Sequence, residues 1–168
     1  MSLTLINTPA ATNANSYVSL ATAGLYIEEN LHIYATWASL STANREASLI
    51  YATSLLDTQI DWIGTKGDSS QALRWPRDDA VDQDGYDVTS TGIPIPVQRA
   101  TAFYAYFLSQ SDRVAEVDTF GFKRLKAGSL EMEIDKYDRR ETMPTIVWDL
   151  IKGYGTRSRS QSRVLERR

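Results

Sequence analysis

Residues 61–93 lack helical periodicity, yet they sit between two segments that repeat with the helical period. Gly64, Gly67, Asp84-Gly85 and Gly92 punctuate this stretch, Pro76 blocks a helix inside it, and Ile93-Pro94-Ile95-Pro96 closes it. A loop of this length within a compact domain either carries function or lacks fixed structure. Its aromatics decide between the two. Trp62, Trp75 and Tyr86 carry large rings that folding normally buries, so an ordered loop is expected. Trp75, within Trp75-Pro76-Arg77, is the expected anchor that plugs the loop into the body, with Arg74 and Arg77 lying alongside on their aliphatic stems. The other reading of the same residues is a recognition surface presented outward.

The flanks supply the body. Residues 1–15 read as an irregular N-terminal arm of Thr, Asn and Ala. Ser19 can cap a helix running from about Leu20 to Asn30, and Ser16 reads as a cap as well. A short helical or irregular piece, Tyr34 to Ser39, carries Trp37, and Ser41 can cap the next helix. There Ala43, Ala47, Ile50, Tyr51, Leu55 and Leu56 recur at three and four residues, which marks a helix expected to be the central one and to end near Ile60. After the loop, Pro94 and Pro96 suit a helical first turn, where a missing N–H costs nothing. Val97, Ala100, Tyr104, Phe107 and Leu108 then form an apolar stripe. Residues 122–134 alternate at period two, with Leu130, Met132 and Ile134 on one side and Glu131, Glu133 and Asp135 on the other. Lys123, Arg124 and Lys126 lie on the partner strand, and Ala127-Gly128 is placed at the turn. Pro144 opens a last helix through Ile146, Val147, Leu150 and Ile151, stopped by Gly153 and Gly155. The fold class is therefore mainly α: a small helical bundle with one projecting β-hairpin, a long irregular loop and an extended C-terminal arm. Residues 1–155 form one domain and 156–168 a basic arm.

At 168 residues without cysteine, one domain with a sufficient core is expected, and thiol catalysis, thiolate metal sites and disulfides are excluded. The short apolar run at Leu3 to Ile6 lacks the basic start of a signal peptide, and no stretch has the length of a membrane span. The net charge of −3 is unevenly placed. Residues 1–93 carry four Lys/Arg against eleven Asp/Glu (−7), residues 94–153 nine of each (0), and residues 154–168 five Arg against Glu166 (+4). An acidic body repels phosphates, so any phosphate binding would fall to the arm.

Candidate chemistry is sparse. The carboxylates Asp78, Asp79, Asp82, Asp84 and Asp87 suggest calcium, but with Gly85 as the fixed glycine of a calcium loop the first ligand position falls on Ala80. A solvated turn accounts for them better. His32 has no orienting partner for general-base work. No catalytic residue, metal or cofactor is expected. The arm, with Arg157, Arg159, Arg163, Val164, Leu165, Arg167 and Arg168, has too few apolar residues to fold alone and suits an acidic partner surface.

Asn15-Ser16-Tyr17-Val18-Ser19-Leu20, the Ala-rich helix, Leu73-Arg74-Trp75-Pro76-Arg77, Asp84-Gly85-Tyr86, Ile93-Pro94-Ile95-Pro96-Val97 and the hairpin follow one another across residues 15–153. In that order they resemble the head–tail connector adaptors, or head-completion proteins, of tailed bacteriophages. Many relatives of those proteins carry a DnaT-like single-stranded-DNA-binding label. The resemblance implies a non-enzymatic virion protein of the neck, made in the host cytoplasm, that forms a homo-oligomeric ring, typically a dodecamer, beneath the portal protein. Such a ring docks the tail or the next neck protein, and packaged double-stranded DNA passes through it without sequence-specific binding; no membrane is involved. The expected portal-binding element is the arginine arm. The expected subunit interface is the hairpin, through Lys123, Arg124, Lys126, Glu131, Glu133 and Asp135. The alternative is a single-stranded-DNA-binding protein of phage replication.

Overall fold

The computed structural model describes residues 3–88, 90–115, 124–127, 130–133 and 141–158. Among them are five helices and six short strands, a mainly α architecture. Helix α1 (Leu20–Glu28) starts where the Ser19 hydroxyl accepts the Thr22 N–H at 3.0 Å. Helix α2 (Tyr34–Ser39) brings Trp37 into the core. Helix α3 (Thr42–Gln59) starts where Ser41 accepts the Asn44 N–H at 3.2 Å. Strands β1 (Ile60–Trp62), β2 (Thr65–Lys66) and β3 (Arg77–Asp78) follow, then α4 (Ile95–Gln110), β4 (Arg124–Ala127), β5 (Leu130–Glu133), α5 (Thr145–Ile151) and β6 (Gly155–Arg157). Pro94 and Pro144 occupy the cap positions of α4 and α5, with Pro96 in the first turn of α4. Ser16 caps no helix: its hydroxyl donates to the Val18 carbonyl at 2.8 Å and closes a tight turn.

Helix α4, not α3, is the central element, because it packs against α3, α5 and α1. Its buried residues, Val97, Ala100, Thr101, Ala102, Tyr104 and Ala105, are spread around the axis rather than confined to one stripe, and the alanines let the neighbouring helices approach closely. The face of α3 also differs from the expected one. Leu49, Ala52, Thr53 and Leu56 are buried, whereas Ala43, Ala47 and Tyr51 are exposed and Ile50 is half-buried. The physical reason is that the polar member of the buried row is satisfied: Thr53 Oγ1 donates to the Leu49 carbonyl at 3.0 Å and accepts the Tyr17 N–H at 3.3 Å, so Leu49, Ala52 and Leu56 can be buried beside it.

Three two-stranded ribbons decorate the bundle. Strand β6 runs antiparallel to β1, with Ile60 opposite Arg157 and Trp62 opposite Gly155. Gly155 permits this pairing, since a Cβ there would lie 2.6 Å from Ile60 Cγ2 and 2.8 Å from the Asp61 carbonyl oxygen. Residues 155–157 therefore belong to the body rather than to a free arm. In the β4–β5 ribbon Ala127, expected at the turn, is a strand residue that pairs with Leu130. The N-terminal segment is also fastened down. Asn15 Oδ1 accepts the Ile6 N–H at 2.7 Å, Asn15 Nδ2 donates to the Thr4 carbonyl at 2.8 Å, and the Ala72 N–H reaches the Ala11 carbonyl at 3.1 Å.

Candidate functional site

Two polar hubs hold the long loop. The first is Asp57, in the last turns of α3. Its carboxylate accepts the Tyr17 hydroxyl, the Trp62 indole N–H at 3.3 Å and the Arg74 backbone N–H at 3.2 Å. One side chain thus ties the N-terminal segment, β1 and the loop to the bundle. Burial raises the Asp57 pKa against the opposing pull of these hydrogen bonds. Burial, then the Asp57 charge, pushes Tyr17 well above the usual phenol range, so its hydroxyl stays a donor. The second hub is Arg77. Its guanidinium donates to the carbonyls of Ile63 and Gly64, each at 2.6 Å, of Arg74 at 3.1 Å and of Trp62 at 3.4 Å. Five fixed donors make arginine the side chain able to collect carbonyls in this way.

Between the hubs runs an aromatic chain. Tyr17 meets Trp62 edge-on at 6.4 Å, Trp62 meets Trp75 at 5.8 Å, and Trp75 meets Tyr154 at 6.1 Å. Trp75 is 1% exposed, so it plugs the core, next to the cis Trp75-Pro76 bond. Gly64, at φ +71°, lets the chain turn directly beneath the Asp78 carbonyl.

A second constellation lies at the far end of α4. Arg113, just beyond the helix, donates to the carbonyls of Thr142 at 3.0 Å and Glu141 at 2.9 Å. Residues 113 and 141–142 are thereby neighbours. Arg157 of β6 reaches the same place, pairing with Glu141 at 3.1 Å and lying over the Trp148 ring at 5.1 Å. This pairing holds the Glu141 carboxyl below the usual range. The Ser158 N–H bonds the Gln59 carbonyl at 2.7 Å. Thr58, Gln59, Glu141, Thr142, Met143, Arg157 and Ser158 line an open groove of about 510 Å³ at this gate. Arg113, Glu141, Thr142 and Arg157 are thus brought together on one side of the body.

Among the expected site residues, Trp75, Pro76 and Arg77 lie together in the loop, and Arg157 is engaged by its own subunit. Arg124, Lys126, Glu131 and Glu133 lie in β4 and β5, in the register Arg124 opposite Glu133 and Lys126 opposite Glu131. Lys123, Asp135, Arg159, Arg163, Val164, Leu165, Arg167 and Arg168 lie outside the described residues. Asp57, Tyr17, Arg113, Glu141 and Trp148 are organising residues that the pattern analysis passed over. A carboxylate at the apolar end of α3, just after Leu55-Leu56, was the available hint for the first.

The acidic turn is real and largely self-contained. Asp82 accepts the N–H groups of Asp84 at 3.0 Å and Tyr86 at 2.9 Å, the hydrogen bonding of an Asx turn. Asp78, Asp79 and Asp87, with Ala80, Val88 and Ser90, line an open cleft of about 550 Å³. Among the described residues no three His, Cys, Asp or Glu side chains are grouped so as to hold a metal ion, and no helix is long and apolar enough to cross a membrane.

These features define a class: a helical-bundle protein whose long loop is pinned inward by tryptophans and whose last strand, β6, is paired back onto the end of α3 through β1. The family model described as "Putative DnaT-like ssDNA binding protein" matches residues 1–168, and the chain belongs to that family. No curated protein and no solved structure matches it.

Proposed function

We propose that the chain is a virion structural protein of a tailed bacteriophage. In this reading it is an adaptor subunit that assembles as a ring beneath the portal, completes the head, continues the DNA channel and docks the tail, with no chemistry of its own. The order of motifs along residues 15–153 supports this reading. The observation that carries it is the inward commitment of the aromatics. Tyr17, Trp37, Trp62, Trp75 and Tyr104 are buried, so they cannot serve as the stacking surfaces that single-stranded nucleic acid requires. Among the described residues the exposed aromatics are Tyr34 at 42%, Tyr51 at 43% and Tyr86 at 74%; Tyr34 and Tyr51 show less than half their surface, and Tyr86 stands between Asp84 and Asp87, where phosphates are repelled. An acidic body suits a conduit that DNA slides past. The test is electron microscopy and native mass measurement of the full chain, alone and with the portal. Closed rings that seat on the portal are expected; a monomer that ignores the portal overturns the reading.

Single-stranded DNA binding is the second reading, and it is the one the family description favours. Fluorescence anisotropy with a labelled oligonucleotide at physiological salt separates the two. The adaptor reading expects no saturable binding there. Sub-micromolar binding that persists without residues 159–168 would establish a binding surface on the body and displace the adaptor reading.

A further inference from the structure

Helix α3 has the residues of a helix buried on two sides and is covered on one. A surface helix normally turns apolar residues to the core and charged ones to water. In α3 that division breaks down. Leu49, Ala52, Thr53 and Leu56 face the core. Ala43, Ala47, Tyr51, Ser54 and Thr58 recur at three and four residues and form a row on the opposite side. All five are exposed, Tyr51 at 43%. Ile50 and Leu55, each half-buried, border the row. The charged residues of the helix, Arg45, Glu46 and Asp57, are half-buried and lie off it. From Ala47 to Leu56 the helix carries no charge at all. A helix without a charged side is one that its surroundings bury, and here the outward side still meets water.

The outward face is complementary to itself in size. Two copies of α3 can cross antiparallel about a two-fold axis at Ala47. Residues four positions to either side of that axis then meet, so each Tyr51 lies against Ala43 of the other copy. Ala47 lies against its own counterpart. Large rings fall on methyl groups, and alanine at the axis lets the two backbones approach closely. Charge points to the same occupant. Copies of a chain with net charge −3 repel one another, and an uncharged face is where they can meet. Residues 116–123, 134–140 and 159–168 of the chain each include charged side chains. Laid on this face, they would lose water and find no partner charge.

We propose that the Ala43–Tyr51 face of α3 is a two-fold contact between two copies of this chain. The contact stands apart from the ring reading, because a two-fold face is satisfied between two copies and does not extend to a third. A single helix face makes an interface at the small end of the specific range, so the pair is reversible and forms as concentration rises.

The chain has no cysteine, so the contact can be trapped directly. Full-length Ala47→Cys is oxidised mildly, beside full-length Ala43→Cys. Position 47 lies on the axis, where facing Cα atoms of closely packed helices come within about 4–6 Å, the reach of a disulfide. The two copies of position 43 lie on opposite sides of the axis, about 12 Å apart and beyond that reach. The expected result is a disulfide dimer that forms about tenfold faster, or more, with Ala47→Cys than with Ala43→Cys. Mixing Ala43→Cys with Tyr51→Cys is expected to restore fast crosslinking as a mixed disulfide. Full-length Ala47→Glu, altered at an exposed site, is expected to keep the circular dichroism of the parent and to sediment as a monomer where the parent pairs. Equal crosslinking at positions 43 and 47 overturns the inference. So does a folded Ala47→Glu that pairs as the parent does, or a parent whose sedimentation is that of a monomer up to its highest soluble concentration.

Discussion

Replacing Asp57 by alanine removes the one acceptor shared by three segments of the chain. The Tyr17 hydroxyl and the Trp62 indole would be left without a partner in a region where Tyr17 is 1% and Trp62 7% exposed. A buried donor left unpaired costs about 1–3 kcal/mol, so two cost about 2–6 kcal/mol. The Arg74 N–H is exposed and water can replace its partner. The substitution also relieves the desolvation of the carboxylate, which leaves a net loss of about 1–4 kcal/mol. Urea unfolding followed by tryptophan fluorescence reads this as a fall in midpoint of about 0.5–2 M, for an m-value of about 2 kcal/mol/M. Asp57→Asn keeps an oxygen for Tyr17 and Trp62 and should cost less. It also tests the cause of the pKa shift. Burial raises the Asp57 pKa in the folded state, so the folded protein binds the proton more tightly than the unfolded chain does. The stability that this group contributes is therefore full below its ordinary value of 3.8 and falls as pH rises from there through the raised folded value. The asparagine variant lacks that slope, so its stability relative to the parent should improve across this window. A loss below about 0.5 kcal/mol for alanine would refute the hub, and a difference between asparagine and parent that stays flat with pH would refute burial as the dominant cause.

Leu49→Ala should cost about 2–5 kcal/mol and Ile50→Ala about 1 kcal/mol or less, because Leu49 is fully buried against the bundle and Ile50 is not; equal shifts in thermal midpoint would restore the other face of α3 to the core. Gly64→Ala places a Cβ against the Asp78 carbonyl oxygen at a φ of +71°. The left-handed conformation alone costs about 1–2 kcal/mol, so the midpoint should fall by at least about 3 °C, and an unchanged midpoint would show that the β2–β3 ribbon yields freely. Arg77→Lys keeps the charge but cannot fork to four carbonyls, so amide exchange should rise across residues 63–78 while the bundle helices keep their protection. Exchange at the parent rate would show that the loop is held by Trp75 and Asp57 alone.

Helix starts were legible because they depend on local chemistry. Ser19, Ser41, Pro94 and Pro144 mark the openings of α1, α3, α4 and α5 through capping hydroxyls or through prolines that need no N–H. What escaped depends on distant partners. The phase of α3 was misjudged because Thr53 looks polar in sequence but is satisfied by Leu49 and Tyr17, a pairing between residues 36 positions apart. The roles of Asp57 and Arg77 depend on chain segments that meet only after folding. Gly155 and Gly153 read as helix stops, yet Gly155 is also the residue that lets β6 come within reach of β1.

That last pairing changes how the basic segment can act. With β6 bound to β1 and Ser158 held by Gln59, the chain beyond the body begins at Arg159 rather than Thr156. Arg157, the first arginine of the expected arm, is engaged by Glu141 and Trp148. The remaining segment, 159–168, carries four arginines and has a contour of at most about 35 Å. Bound to single-stranded nucleic acid, four arginines give a logarithmic salt slope of about −3, since each neutralised phosphate contributes about −0.7. A steeper slope would require cations on the body, where residues 1–93 carry −7. The segment can therefore tether the protein to an anionic surface within its reach, but charge alone gives it little discrimination between carboxylates and phosphates. Any specificity must come from a shaped surface on the body, and the groove lined by Glu141, Arg157 and Ser158 is the one that borders the last described residue.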